Sequence, residues 1–423
     1  MEGVAIHEGR GWVLTEPPRS RLTAPRILFV STYPPTRCGI ANYTHSLVQA
    51  MAERRGSTDD LGVVRLLTPG ESPRPDPIVE AYAGISNTRW VDHVAQVARA
   101  YDVVWLQHEF GIYGEAGDRA LSRLTEKVSK PIITTLHTVL RRPDPIQRDS
   151  TRLLVKRSAH TVVISRAARQ MLVDHYRVDP TAVEVVPHGV RHLPKESRPP
   201  AQRPVIVTWG LLGPGKGIEW GIRALRHLKQ LDPPPRYVVA GATHPQVLRT
   251  QGDTYRLGLC RLARELGVED LLRMEDTYLS DEDLERLLES AHVVVLPYDS
   301  TDQVSSGVLV EALGAGLPVV ATAFPHAIEM LEGGAGIVVP HRDPQAMADA
   351  ISSLLTDPDA LSAARTNAAR IGRSLQWPVV AEQCETLAAS ASRTALARGK
   401  PREQAPGGTL APWSPSGPPL MIL

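Results

Sequence analysis

Between Asp302 and Thr322 the chain reads DQVSSGVLVEALGAGLPVVAT, and three features with separate chemistry share this one stretch. Ser305, Ser306 and Gly307 form a small polar opening suited to capping a helix and leaving its first backbone amides free. Such amides, with the helix dipole behind them, bind anions, which makes Ser306, Gly307 and Val308 candidate phosphate contacts. Glu311 is the one charge between Val308 and Ala321. A carboxylate in apolar company needs hydrogen-bond donors or solvent. A ligand carrying both a phosphate and a hydroxyl-rich group meets both demands, and a nucleotide sugar is such a ligand. The plainer alternative is that the serines only cap and that Glu311 faces water.

A second candidate phosphate contact lies upstream. GLLGPGKG at 210–217 is a glycine-rich turn between a strand pattern and a helix pattern. Glycines such as Gly210 and Gly215 let the backbone approach a phosphate, and Lys216 supplies a point charge for a diphosphate. The spacing is not that of a Walker A loop, no Ser or Thr follows the lysine to hold magnesium, and GxGxxG is not matched. A strand-to-helix turn alone would also account for these glycines. In the first half, polar residues stand where apolar runs end: Gln107, His108 and Glu109 after VVWL, His137 after IITTL, and His188 after VEVVP. Ligands of open parallel sheets gather at the carboxyl ends of strands, so these side chains are candidates by position. The loop from Tyr33 to Ile40 qualifies in the same way.

The elements that must position these residues alternate along the chain. RILFVS at 26–31 feeds a Pro/Gly loop and an amphipathic helix through about Arg55. Strand-like runs follow at 61–68, 102–110, 131–138, 160–165 and 183–190. Helices are expected near 87–100, 116–128, 148–157 and 166–176. A second series begins with VIVTWG at 205–210 and a helix to about Leu231. It continues with RYVVAG at 236–241, one helix from about His244 through Leu266, LLRME at 271–275, a helix capped by Ser280 with Asp283 three residues on, and HVVVLPY at 292–298. GIVVPHRDP and helices to about Ala389 close it. Strands alternating with helices at this spacing predict two Rossmann-like parallel-sheet domains in tandem, an α/β architecture. Residues 1–25 read as a flexible leader, 26–190 as the first domain and the Pro-rich 191–204 as a linker. Residues 205–375 read as the second domain, 376–390 as a C-terminal helix crossing back to the first, and 391–423 as a disordered tail.

Composition narrows the partners. A length of 423 residues exceeds one ordinary core. A formal net charge of +1 and 5% aromatics point away from nucleic acid. Cys38, Cys260 and Cys384 lie far apart without metal-ligand spacing, so neither a disulfide framework nor structural zinc is expected. No apolar run reaches the roughly 18 residues of a spanning helix, and the first residues lack a signal pattern. The expected location is the cytoplasm, with peripheral contact at the inner face of a membrane left open.

GLLGPGKG, VVVLPY, SSGVLVEALGAGLPVVAT and GGAGIVVPHRDP, in that order and spacing, resemble the C-terminal domain of family 4 retaining glycosyltransferases of the GT-B fold. STYPPTRCGIANYT, QHEFGIYG, TLHT and VVPHGV resemble their N-terminal domain, so the likeness spans about residues 26–390. It implies two doubly wound domains facing a cleft, an acceptor-side first domain and a donor-binding second. Glu311 matches the second glutamate of the family's spaced pair, which holds the donor ribose, and Lys216 matches the diphosphate lysine. Gln303 stands where the first glutamate contacts the donor sugar, and Leu211 where a phosphate arginine usually follows Gly210. Gly39 matches the second glycine of the acceptor-side loop, with Cys38 in place of the first, and His137 matches the histidine that reaches the donor sugar. Glu109 is a candidate for orienting an acceptor hydroxyl.

The resemblance implies metal-independent transfer of a hexosyl group from a UDP- or GDP-sugar, with retention, to a saccharide, polyol or lipid-linked hydroxyl and with no further cofactor. Gln303 and Leu211 keep two alternatives open. One is a GT-B scaffold that binds a nucleotide or sugar without transfer. The other is a different GT-B enzyme, a sugar phosphorylase or a nucleotide-sugar epimerase.

Overall fold

The computed structural model describes residues 24–68, 70–86, 88–114, 117–191 and 203–397. Most of the expected leader and linker, and the tail beyond 397, lie outside the described residues.

The first half builds a seven-stranded parallel sheet in the order β3-β2-β1-β4-β5-β6-β7. Its strands are β1 (Ile27–Ser31), β2 (Leu61–Leu67), β3 (Val79–Gly84), β4 (Val103–His108), β5 (Ile132–Leu136), β6 (His160–Val163) and β7 (Val183–Val185). Helices α1 (Gly39–Arg55), α2 (Trp90–Val97), α3 (Gly117–Lys127), α4 (Pro145–Arg157) and α5 (Arg166–Tyr176) connect them. Helices on both faces bury β1, β4 and β5 completely, which is why these strands read as near-continuous apolar runs. Strand order reverses around β1, so the carboxyl ends of β1 and β4 open a crevice between them.

The second half repeats the plan with six parallel strands in the order β10-β9-β8-β11-β12-β13. They are β8 (Val205–Trp209), β9 (Arg236–Ala240), β10 (Leu272–Glu275), β11 (Val293–Leu296), β12 (Val319–Thr322) and β13 (Gly336–Val339). Around them lie α6 (Ile218–Leu228), α7 (Pro245–Gln251), α8 (Thr254–Glu265), α9 (Asp281–Ser290), α10 (Gly307–Gly314), α11 (Pro325–Leu331), α12 (Pro344–Thr356) and α13 (Pro358–Ser374).

The last helix, α14 (Trp377–Ala397), belongs to the other half by packing. Val380, Ala381, Cys384 and Ala388 are buried with Ile27, Leu47, Trp105 and Ile133, and Glu385 pairs with Arg54 at 3.2 Å and Arg55 at 2.9 Å. The crossing is pinned where Val190 N–H donates to the Leu375 carbonyl and Trp377 N–H to the Val190 carbonyl.

Three sequence expectations shift. Residues 391–397 are helical, because Ala391 still buries its methyl against the first half, so the tail cannot begin at 391. The single helix expected from His244 to Leu266 breaks at Gly252, whose left-handed φ of 61° favours glycine, giving α7 and α8. Strand β3 is absent from the sequence reading: VEAYAG, an edge strand of mostly small residues after a proline-rich stretch, lacks the branched apolar run of its neighbours. Among the described residues no helix is long and apolar enough to cross a membrane.

Candidate functional site

The stretch around Glu311 forms loop 299–306 and helix α10 at the boundary between the two halves. Ser306 is the N-cap: its backbone is extended and its hydroxyl accepts from Leu309 N–H at 3.3 Å. Its own N–H is not free for a ligand, because it donates to Nδ1 of His326 at 2.9 Å. The anion site expected of three successive amides therefore reduces to Gly307 and Val308, whose N–H groups have no protein acceptor among the described residues. His326 is buried, and burial together with nearby His188 pushes its pKa down to about 3, so it is a neutral acceptor for that amide.

The glycine turn leads from the end of β8 to the start of α6, and its first residue lies against α10. Gly210 has φ of 111°, and a Cβ there would sit 3.6 Å from Val308 Cγ2. Gly217 has φ of 62°, and a Cβ there would sit 1.9 Å from the Pro297 carbonyl oxygen, so only glycine lets this turn close. Gly215, with φ of 89°, faces open space, and its carbonyl accepts from Asp299 N–H. Lys216 holds its ammonium 4.5 Å from the centroid of the Tyr298 ring. A cavity of about 360 Å³ opens beside the turn, lined by Leu211, Gly213, Lys216, His244, Val247 and Gln251.

Glu311 is half-buried and paired. Its Oε2 accepts from the indole N–H of Trp209 at 2.8 Å, a residue at the last position of β8. Burial raises its pKa, with the Trp209 bond and the Arg191 charge opposing. Sequence reasoning missed Trp209, though a tryptophan at a strand's carboxyl end is a visible signal. Gln303, which the resemblance set against the donor sugar, donates from its side-chain amide to the Ser305 carbonyl at 2.9 Å, and its backbone carbonyl accepts from His326 N–H. One of that amide's two N–H donors is thus committed to shaping the loop.

The first half meets this loop directly. The hydroxyl of Ser305 donates to the His137 carbonyl at 2.8 Å, and that of Ser165 to the Val304 carbonyl at 2.6 Å. Glu329 of α11 accepts from the Arg166 and Ala167 amides at 3.0 and 2.9 Å, capping α5 from the opposite half. His137 donates from Nε2 to the Gln107 side-chain oxygen at 2.7 Å, leaving the Nδ1 lone pair uncommitted. Burial, with nearby His188 and His108, pushes its pKa down to about 3. Glu109 accepts from the Thr138 hydroxyl at 2.5 Å and from Phe110 N–H at 2.9 Å, and burial raises its pKa.

Cys38 and Gly39 open α1. The Cys38 sulfur caps the helix, accepting from Ala41 N–H at 3.4 Å and lying 3.2 Å from the Thr32 hydroxyl, while Gly39 faces open space. The start of α1 reaches the other half through Asn42, whose amide donates to the Tyr278 hydroxyl at 3.2 Å. The structure thus brings the His137 carbonyl to Ser305, His188 to Gly307 and Gly210 to Val308, on the loop and helix that carry Gln303, Ser306 and Glu311. Glu109 bonds to Thr138, next to His137, Lys216 lies on the glycine turn against Tyr298, and Cys38 and Gly39 open α1.

Residues 38–192 match the family model "Glycosyltransferase Family 4", and residues 190–371 match "Glycosyl transferases group 1". A D-inositol 3-phosphate glycosyltransferase of Corynebacterium glutamicum is 28% identical over 61% of this chain and 66% of its own length. That of Geodermatophilus obscurus is 31% identical over 62% of this chain and 61% of its own. The matched part thus spans about two thirds or less of these relatives. Among solved structures, a sucrose-phosphate synthase from Thermosynechococcus elongatus superposes with a TM-score of 0.68 at 17% identity, covering 88% of this chain and 99% of that one. Anabaena Alr3699/HepE, solved with UDP and glucose, gives 0.66 at 18% identity over 86% and 99%. Two successive family models on two parallel-sheet domains place the chain in the GT-B glycosyltransferases of the group 1 and family 4 type.

Proposed function

We propose that this protein is a retaining glycosyltransferase that moves a hexosyl group from a UDP- or GDP-sugar to an acceptor hydroxyl without a metal. One observation carries the reading. The free amides at the start of α10 lie against Gly210 on one side and the strand-end histidines of the first half on the other, with Glu311 one turn along. In this reading the Gly307 and Val308 amides and Lys216 take the charge that develops on the departing diphosphate, aided by the dipole of α10. Glu311, oriented by Trp209, accepts hydrogen bonds from the ribose hydroxyls. His137 presents a neutral Nδ1 to the donor sugar. The acceptor hydroxyl attacks from the face the nucleotide leaves, and its proton passes to the departing phosphate oxygen.

Anabaena Alr3699/HepE with UDP and with UDP-glucose supports a uridine nucleotide. The relatives named D-inositol 3-phosphate glycosyltransferase favour a polyol among the acceptor classes. The test is a thermal-shift panel of UDP, GDP, ADP and their hexose conjugates, with and without magnesium. A nucleotide at a hundred times its Kd adds about 2.7 kcal/mol of stability. Selective, metal-independent stabilisation by one diphosphate supports the reading, and no shift with any of them overturns it.

A further inference from the structure

We infer that His188 is a substrate-touching residue whose Nε2 takes up a proton when the donor diphosphate binds and supplies the positive charge missing at Leu211. The inference rests on the donor site proposed above and adds a residue to it. Three observations carry it.

The first is a tautomer set by chemistry. The Nδ1 of His188 lies 2.6 Å from the Gly189 carbonyl oxygen, which can only accept, so Nδ1 carries the proton and Nε2 the lone pair. The second is where that lone pair lies. A Cβ built on Gly307 would stand 3.6 Å from His188 Nε2, so the nitrogen abuts the first residue of α10, beside the two amides without acceptors. Among the described residues the ring's one hydrogen bond is through Nδ1. The third is that the ring is fixed in place. It stands edge-on to Tyr43 at 5.1 Å and tilted against Trp377 at 5.7 Å, side chains from α1 and α14 that hold it where the two halves meet.

The groups facing this ring explain why the proton arrives with the ligand. Tyr43 from α1, His137 after β5 and His326 from α11 are all held neutral by burial, and Arg191 nearby is paired with Asp281 and Glu285. In the free protein burial also lowers the pKa of His188, so the ring is neutral near pH 7. A diphosphate at the Gly307 and Val308 amides adds negative charge beside Nε2 and reverses that balance. The proton comes from solvent. The imidazolium then hydrogen-bonds a phosphate oxygen and keeps its proton while the sugar C1–O bond breaks toward the phosphate. The acceptor oxygen forms the new bond, and the acceptor's own proton goes to the departing phosphate.

The experiment is calorimetric titration of UDP and GDP into the full chain in two buffers of different ionisation enthalpy, from pH 6 to 8. It is run on wild type, His188→Gln and His188→Asn, each shown to melt cooperatively. Wild type is expected to take up a proton on binding and to bind more weakly as pH rises. Both variants should bind about tenfold more weakly with a reduced proton uptake. In a transfer assay they should lose on the order of a hundredfold in kcat. Variants that bind with wild-type affinity and undiminished proton uptake would overturn the role of His188 alone. A wild type that binds neither nucleotide would overturn the donor-site reading itself.

Discussion

At the scale of single residues, the site runs on hydrogen-bond partners that decide what each side chain has left to offer. Glu311 already spends one oxygen on Trp209, which orients the other. Glu311→Ala removes a charge-assisted acceptor and is expected to weaken UDP binding by about 1.5–3 kcal/mol, with an unchanged circular dichroism spectrum. Unaltered affinity by calorimetry would overturn the ribose role proposed for it. Gln303 tells the opposite story, because its amide donates to the Ser305 carbonyl. Gln303→Glu cannot make that bond at neutral pH and places a carboxylate against a carbonyl. A loss of about 1–3 kcal/mol in urea unfolding, with no gain in transfer, is expected. A variant of normal stability and higher activity would show that the amide is free for the sugar.

The buried histidines carry a pH signature. Burial pushes the pKa of His137 and His326 down to about 3 and that of His108 to about 4, all below the unfolded value. A depressed folded pKa means that the unfolded chain binds more protons. Stability is therefore full above about pH 6.5 and falls as the solution is acidified from there toward pH 3. By pH 5 each of these groups is expected to cost about 2 kcal/mol. Melting temperatures compared at pH 7.5 and 5 check this, and His108→Gln should soften the slope. Sequence position alone marked His137 and His188 as strand-end residues, and it marked Ser306 as a cap. It did not show that the Ser306 amide is taken, because the partner, His326, sits beyond a whole strand.

At the scale of elements, backbone requirements were the most legible feature. The Ser280–Asp283 capping box of α9 is present in both directions, as its spacing predicts. Among the turn glycines, Gly217 and Gly215 share a positive φ but differ in surroundings: the first meets the Pro297 carbonyl and the second meets nothing. Gly217→Ala is expected to cost about 2–3 kcal/mol, combining strain with a backbone clash. Gly215→Ala should cost about 1 kcal/mol, from strain alone. Equal losses in urea unfolding would mean that the turn is free to relax. The elements that escaped notice did so for physical reasons. Strand β3 is a half-buried edge of mostly small residues with no branched apolar run, and the end of α14 is rich in alanine and serine, a composition shared by disordered tails until its methyl groups find a surface.

At the scale of the whole molecule, the two halves are tied by bonds on several sides of the cleft: Ser305 to His137, Ser165 to Val304, Asn42 to Tyr278, and Glu329 to the start of α5. Glu329→Ala removes the cap that α11 supplies to α5. It is expected to raise the radius of gyration in small-angle scattering with little change in helix content, and UDP should reverse the expansion. An unchanged radius would show that the remaining ties suffice. The alternating halves, the glycine turn and the helix caps were determined by the sequence alone. Each depends on periodicity or backbone conformation, which neighbouring residues settle. What each site residue has left to give a ligand was decided only by the tertiary structure. Trp209 and Glu311 stand 102 positions apart, and His137 and Ser305 stand 168 apart. Whether a buried amide, carboxylate or imidazole is already satisfied depends on partners that only the packed chain brings within reach.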